Sequence, residues 1–221
     1  MANNRNYVFH WTKKVDRREM WEKLSPQEVI GYYDEWPKHG FDEANIRGAK
    51  IAADTVMSLY DSSDRSKVKV LDVCAGTGLV GHHLKRNGFV EMDALDASEG
   101  MLNEARKKKI YRNCFQEFFT ADSLIHKNGY YDCIVAAGAF LAGHLEPESL
   151  SHLIRLTKKD GHIVIVMRGP CADGNGYVDS VLQNMDKLIK GGQWEKVSQR
   201  VSNEFSFMKD ITGLVLIFKV L

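Results

Sequence analysis

The chain has 221 residues, 30 lysines and arginines against 29 aspartates and glutamates, a hydrophobic fraction of 44% and only 4 prolines, with no proline, glycine or serine cluster marking a linker. Such a chain is long and apolar enough for one domain with a substantial core, which excludes chain-wide disorder and collagen-like or coiled-coil architectures. A net charge of +1 argues against strong nonspecific binding to nucleic acid or an anionic membrane, and the longest uncharged stretch, Cys133 to Leu145, is short of the ~20 residues a bilayer crossing needs.

In chain order, Met1 to Lys14 is polar where a secretory signal would be apolar, so the expected location is the cell interior, the cytoplasm by default. Ser25-Pro26-Gln27-Glu28 combines an N-cap serine, a proline at the first helical position and a glutamate spaced to close a capping box. A helix is predicted from there towards Tyr33. Ile51, Ala52, Val56, Leu59 and Tyr60 recur at helical spacing, after which Val68 to Val73 reads as a buried strand.

From that strand onward the two periods alternate. Helices are predicted at Gly78 to Lys85, Ser98 to Lys108, Pro147 to Leu156 and Tyr177 to Ile189. Strands are predicted at Val90 to Leu95, Cys114 to Thr120, Tyr131 to Ala136 and His162 to Met167. Glu195 to Phe207 and Leu214 to Val220 read as two further strands joined by a turn at Asp210 to Gly213. This order specifies an α/β fold: a Rossmann-like, doubly wound sheet of about seven strands, mostly parallel, with an antiparallel C-terminal edge hairpin and helices on both faces. Cys74, Cys114, Cys133 and Cys171 form no C-x-x-C pair and read as reduced thiols rather than a zinc site or a disulfide framework.

Ligands of such sheets sit beyond the carboxyl ends of the strands, so the loops there hold the candidate site. The first is Asp72-Val73-Cys74-Ala75-Gly76-Thr77-Gly78-Leu79-Val80-Gly81, whose Gly76-x-Gly78-x-x-Gly81 spacing taken alone is a dinucleotide fingerprint. Glycines permit tight turning and close backbone approach to many ligands, so they do not choose the cofactor. Asp72 discriminates, because a carboxylate at the strand end repels a dianionic pyrophosphate and favours a cationic ligand. S-adenosylmethionine fits, with a sulfonium and an ammonium at one end, ribose hydroxyls in the middle and an adenine amine at the other. Asp96 ends the second strand, where an acid can accept both ribose hydroxyls, and Asp122, in Thr120-Ala121-Asp122-Ser123, is spaced to accept from adenine N6. Met101 is spaced to pack on the adenine face.

These residues resemble class I S-adenosylmethionine-dependent methyltransferases, through Val70-Leu71-Asp72-Val73-Cys74-Ala75-Gly76-Thr77-Gly78, Ala94-Leu95-Asp96-Ala97-Ser98 with Met101-Leu102, and Ala121-Asp122. Tyr131-Asp132-Cys133-Ile134-Val135 and Lys158-Lys159-Asp160-Gly161-His162-Ile163-Val164 look like the fourth strand and the entry to the fifth. Within that superfamily the chain is most similar to the methyltransferase-like group named after the Williams-Beuren chromosomal region, through Tyr33-Asp34-x-Trp36, Arg47, Gly76-Thr77-Gly78-Leu79-Val80 and Val135-Ala136-Ala137-Gly138-Ala139. The resemblance implies an N-terminal helical segment and lid over residues 1–60, part of the same domain as a core at 61–221, with Tyr33 and Arg47 near the cofactor carboxylate. The implied cofactor contacts are Tyr33, Arg47, Asp72, Cys74, Gly76, Gly78, Asp96, Ala97, Met101, Asp122, Ser123 and Ala137.

Methyl transfer from a sulfonium needs orientation and dehydration more than covalent help. A protonated nucleophile still benefits from a general base, and His144, in the loop after the fourth strand, is on the correct rim. Arg168, just beyond the fifth strand, is placed to pair a substrate carboxylate or phosphate. Ala136-Ala137-Gly138-Ala139-Phe140 lacks the Asp/Asn-Pro-Pro-aromatic run of enzymes that methylate exocyclic amines of nucleic acids. Arg168-Gly169-Pro170 stands where metal-dependent relatives need an acidic-amide pair, so no metal is expected. The expected function is a methyltransferase acting on a small molecule. The alternatives are a cofactor-binding regulatory or scaffold protein with little turnover, and an NAD-dependent oxidoreductase, which tolerates no acid at position 72.

Overall fold

The computed structural model describes residues 24–39, 47–169, 176–208 and 211–221. The stretch from Met1 to Lys14, Cys171 and Asp210 of the predicted turn lie outside the described residues, while Ile211, Thr212 and Gly213 of that turn belong to the last strand.

Helix α1 (Pro26–Glu35) begins at the expected capping box: the Glu28 amide donates to Ser25 Oγ, and Glu28 Oε2 accepts from the Ser25 amide at 2.8 Å. It runs two residues past the expected end and tightens into a 3-10 turn at Trp36–His39. Helix α2 (Arg47–Met57) starts earlier than its apolar periodicity suggests, because the small residues Gly48 and Ala49 are also buried. The alternation then follows as β1 (Val70–Val73), α3 (Leu79–Lys85), β2 (Met92–Asp96), α4 (Glu99–Lys107), β3 (Asn113–Gln116), β4 (Tyr131–Ala137), α5 (Ser149–Leu156), β5 (Thr157–Arg168), α6 (Tyr177–Lys190), β6 (Trp194–Met208) and β7 (Ile211–Val220).

These strands form one seven-stranded sheet in the order β3-β2-β1-β4-β5-β7-β6. β1 to β5 are parallel, while β7 pairs antiparallel with both β5 and β6. The expected fold is the observed one. The C-terminal hairpin inserts its second strand next to β5 and leaves β6 at the edge.

Alternate residues of each strand serve two cores. Leu71, Val73, Ile134, Ala136, Ile163 and Ile165 meet α5 and α6 on one face, while Val70, Cys133, Val135, Val164 and Val166 meet α2 and α3 on the other. Trp194 stacks on Phe218 at 3.9 Å and donates its ring N–H to the Met185 carbonyl, which ties the terminal hairpin to α6. Helix α2 therefore belongs to the core layer, whereas α1 packs through Val29 and Tyr32 in a separate small cluster with Leu24, Tyr33, Trp36 and Leu141. The chain winds from β1 outward to β3 and then crosses back to β4, so the carboxyl ends of β1 and β4 diverge into loops at the switch point. A crevice opens there, and α1 lies across it.

Candidate active site

The crevice is a cavity of about 580 Å³ whose wall takes residues from the ends of β1, β2, β4 and β5, from the loop after β3, and from α1. Its floor is the loop after β1, where Cys74, Gly76 and Gly78 all take left-handed backbone angles, with φ of 55°, 55° and 82°. The three fingerprint glycines have different jobs. A Cβ on Gly76 would meet nothing within 4 Å, so this position leaves the cavity wall bare for a ligand. A Cβ on Gly81 would fall 2.4 Å from the Tyr111 hydroxyl, and one on Gly78 would be 3.0 Å from the same ring. Those two glycines make room for Tyr111.

Tyr111 explains the state of Asp72. Its hydroxyl donates to Asp72 Oδ2 at 2.5 Å, and the carboxylate is only 2% exposed. Burial pushes the Asp72 carboxyl up to about 7; the Tyr111 hydrogen bond pulls against this, and nearby Asp96 adds to it. Asp96 is also pushed up, first by burial. Its Oδ2 accepts from the Gly76 amide at 2.8 Å and its Oδ1 from the Ser98 amide at 2.9 Å, which fixes the carboxylate plane against the glycine loop. Among the described residues neither acid is ion-paired. Two buried carboxylates without an ion pair on the wall of one cavity favour positive charge and hydroxyl donors. S-adenosylmethionine supplies both, so the residues present fit it.

Of the remaining expected contacts, Tyr33, Cys74, Ala97, Met101 and Ala137 line the cavity. Burial pushes the Cys74 thiol well up, which makes it a neutral wall group. Gly78 lies behind the wall as the N-cap of α3. Arg47 is exposed at the start of α2 and lies outside the lining, as does the exposed Asp122. Ser123 is buried, and its hydroxyl donates to the Phe118 carbonyl at 2.6 Å while accepting from the Thr120 amide at 2.7 Å. That staple makes the chain leave the sheet after Gln116, sooner than expected, and presents Glu117, Phe118 and Phe119 to the cavity where Asp122 was expected.

On the opposite wall the Tyr33 hydroxyl and His144 Nε2 are 2.6 Å apart. His144 Nδ1 lies 3.2 Å from the Ala142 carbonyl, which can only accept, so the ring is protonated on Nδ1 and Nε2 accepts from Tyr33. Burial lowers the His144 pKa to about 4; the Ala142 carbonyl raises it, and the positive charge of Arg168, also on the cavity wall, lowers it further. Tyr33 stacks on Trp36 at 5.1 Å, and the Tyr177 hydroxyl holds the Leu145 carbonyl from the α6 side. Leu24, Pro26, Val29, Ile30, Phe140 and Leu141 make this end of the cavity apolar. Sequence patterning gave no signal for Tyr111, which lies between α4 and β3, and no role to Asp34, whose neighbour in the Tyr33-Asp34-x-Trp36 run drew the attention.

Residues 70–161 match the family model described as a methyltransferase domain. Human methyltransferase-like protein 27 is 27% identical over 171 residues, which are 76% of this chain and 69% of that protein. Among solved structures, the magnesium protoporphyrin IX methyltransferase of Synechocystis PCC 6803 with bound SAH superposes with a TM-score of 0.64 at 15% identity, covering 89% of this chain and 99% of that one. A TehB-like SAM-dependent methyltransferase from Corynebacterium glutamicum gives 0.57 at 19% identity, covering 89% and 98%. No described helix is long and apolar enough to cross a membrane.

Proposed function

We propose that the chain is a class I methyltransferase that transfers the methyl group of S-adenosylmethionine to a small acceptor with a largely apolar body, using His144 as general base. The observation that carries this reading is the division of one cavity into two chemically distinct ends: the buried acids Asp72 and Asp96, which have no ion pair among the described residues, at one, and a neutral imidazole among apolar side chains at the other.

The cofactor, when bound, supplies a methyl group already activated by its sulfonium, so the protein's own work is to orient, dry and deprotonate. Asp72 would hold the cationic amino-acid end and Asp96 would accept from the ribose hydroxyls. The bare wall at Gly76 would admit the ligand, and Met101 and Phe118, which line the cavity, would flank its adenine. Tyr33 and the apolar face of α1 close the mouth against water. The acceptor's O–H or N–H would take the place of the Tyr33 hydroxyl at Nε2 and would give its proton to His144 as the acceptor takes up the methyl group. A base whose pKa is near 4 keeps Nε2 unprotonated at neutral pH and returns the proton readily to solvent.

The Tyr33-Asp34-x-Trp36 segment and its position over the mouth support membership of the Williams-Beuren methyltransferase-like group, with a lid within residues 1–60. The small net charge supports an acceptor other than a polyanion. The test is transfer of labelled methyl to matched panels of apolar phenols, thiols and amines, alongside RNA, DNA and protein, with His144→Ala as control. Transfer confined to the small acceptors and abolished by the variant is expected. Tight cofactor binding without transfer to any class would instead indicate a regulatory or scaffold protein.

A further inference from the structure

We infer that Asp34, which does not line the cavity, is a positioning residue that seats the lid helix on the cofactor loop, so that the two halves of the site close together. The inference rests on the reading of the cavity as a methyltransferase site, and on a continuous chain of hydrogen bonds.

Asp34 Oδ1 accepts from the Ser98 hydroxyl at 2.6 Å and from the Gly100 amide at 2.9 Å. Ser98 is the N-cap of α4: its hydroxyl also accepts from the Met101 amide, and its own amide donates to Asp96. Asp96 in turn holds the Gly76 amide. Asp34 therefore extends to α1 a network that begins at the glycine loop. The approach is close: a Cβ on Gly100 would fall 2.5 Å from the Asp34 carbonyl oxygen and 2.6 Å from its Cα, so only glycine at position 100 lets α1 lie down on α4. One residue earlier, Tyr33 reaches in the other direction to His144. Adjacent residues of one helix thus bridge the loop after β2 and the loop after β4, two strands that the sheet separates by β1.

A ligand that orders Asp96 and Ser98 therefore also orders α1, and α1 carries Tyr33 to the base. Coupling of this kind is reciprocal: if cofactor binding seats the lid, loss of the seat weakens cofactor binding although no direct contact is removed. Asp34→Asn keeps an oxygen able to accept from Ser98 and Gly100, Asp34→Ala removes it, and Gly100→Ala keeps the oxygen but pushes the helix away.

The test is calorimetric affinity for S-adenosylhomocysteine, together with hydrogen exchange of the α1 backbone with and without it. Asp34→Ala and Gly100→Ala are expected to bind about tenfold more weakly and to lose the ligand-induced protection of α1, with Asp34→Asn close to the parent in both. A residue that merely stabilised the fold would lower the melting temperature of the free protein without changing this ligand-dependent difference. If Asp34→Ala binds like the parent and α1 is protected alike, the seat is wrong. If the parent itself does not bind the nucleoside, the cofactor reading fails first and this inference with it.

Discussion

The Tyr33 hydroxyl donates to Nε2 of His144 over 2.6 Å, joining a residue of the lid helix to one 111 positions later on the opposite lip of the cavity. The contact fixes the imidazole as a neutral, Nδ1-protonated ring. Nitrogen-15 spectra of the free protein at pH 6 are expected to show that tautomer, with protonation only near pH 4. Tyr33→Phe keeps the stack on Trp36 but removes the donor, so about 1 kcal/mol of stability is lost, while the ring, still buried beside Arg168, should continue to titrate well below 6.5. A parent ring that titrates near 6.5 contradicts the assignment.

Cofactor binding should release protons in weakly acidic solution. Asp72, pushed up to about 7, is mostly protonated at pH 6, and a cation beside it favours the carboxylate. Calorimetry in buffers of different ionisation enthalpy should find release approaching about one proton per ligand at pH 6 and close to none at pH 8.5. The sign follows from linkage: affinity for the cationic cofactor rises with pH and levels off above about 7. An affinity that is flat from pH 6 to 8.5 is the contrary result.

The same acid makes the empty protein less stable as pH rises. Asp72 has a folded value of about 7 against 3.8 for an ordinary aspartate, so its proton is held more tightly in the folded chain, and stability falls between about pH 4 and pH 7. His144 acts oppositely, because its folded value of about 4 lies below 6.5 and stability rises over that window. Comparing Asp72→Asn with the parent isolates the first effect. In urea unfolding at pH 4.5 and 7.5, the variant should gain on the parent with rising pH, by up to about 3 kcal/mol. A difference that does not change with pH would show that Asp72 is already solvated.

Gly81 and Tyr111 should behave as one unit. A methyl at position 81 collides with the Tyr111 ring, so Gly81→Ala is expected to cost about 1–3 kcal/mol and to weaken cofactor binding by dislodging the phenol from Asp72. In a Tyr111→Ala background the collision is gone, and the added cost of Gly81→Ala should fall below about 1 kcal/mol. Additive losses in denaturant melts would mean that the glycine serves something other than Tyr111.

The parallel strands and their helices were legible because each carries its own period: apolar runs for strands covered on both faces, and a one-sided stripe for each helix. The site was legible where a residue's chemistry is tied to a strand end, as with Asp72 and Asp96. It was illegible where tertiary contacts decide. β5 starts at Thr157 and not at His162, because the polar Lys158-Lys159-Asp160 stretch stays in the strand across a register shift against β4, with φ of +63° at Asp160. β3 ends at Gln116 because Ser123, seven residues later, ties back to Phe118. Nothing in a local window shows that Gly81 is small for the sake of Tyr111, or that Gly100 is small for the sake of Asp34.

The central claim is that Asp72 and Asp96 make this cavity a berth for a sulfonium nucleoside and hostile to a dinucleotide diphosphate. Calorimetry of the parent, Asp72→Ala and Asp96→Ala with S-adenosylmethionine, S-adenosylhomocysteine and NAD tests it most directly. The account predicts that the parent binds the first two and not NAD, with affinity falling at least about tenfold in each variant. Undiminished binding in both variants, or a parent that prefers NAD, would contradict it.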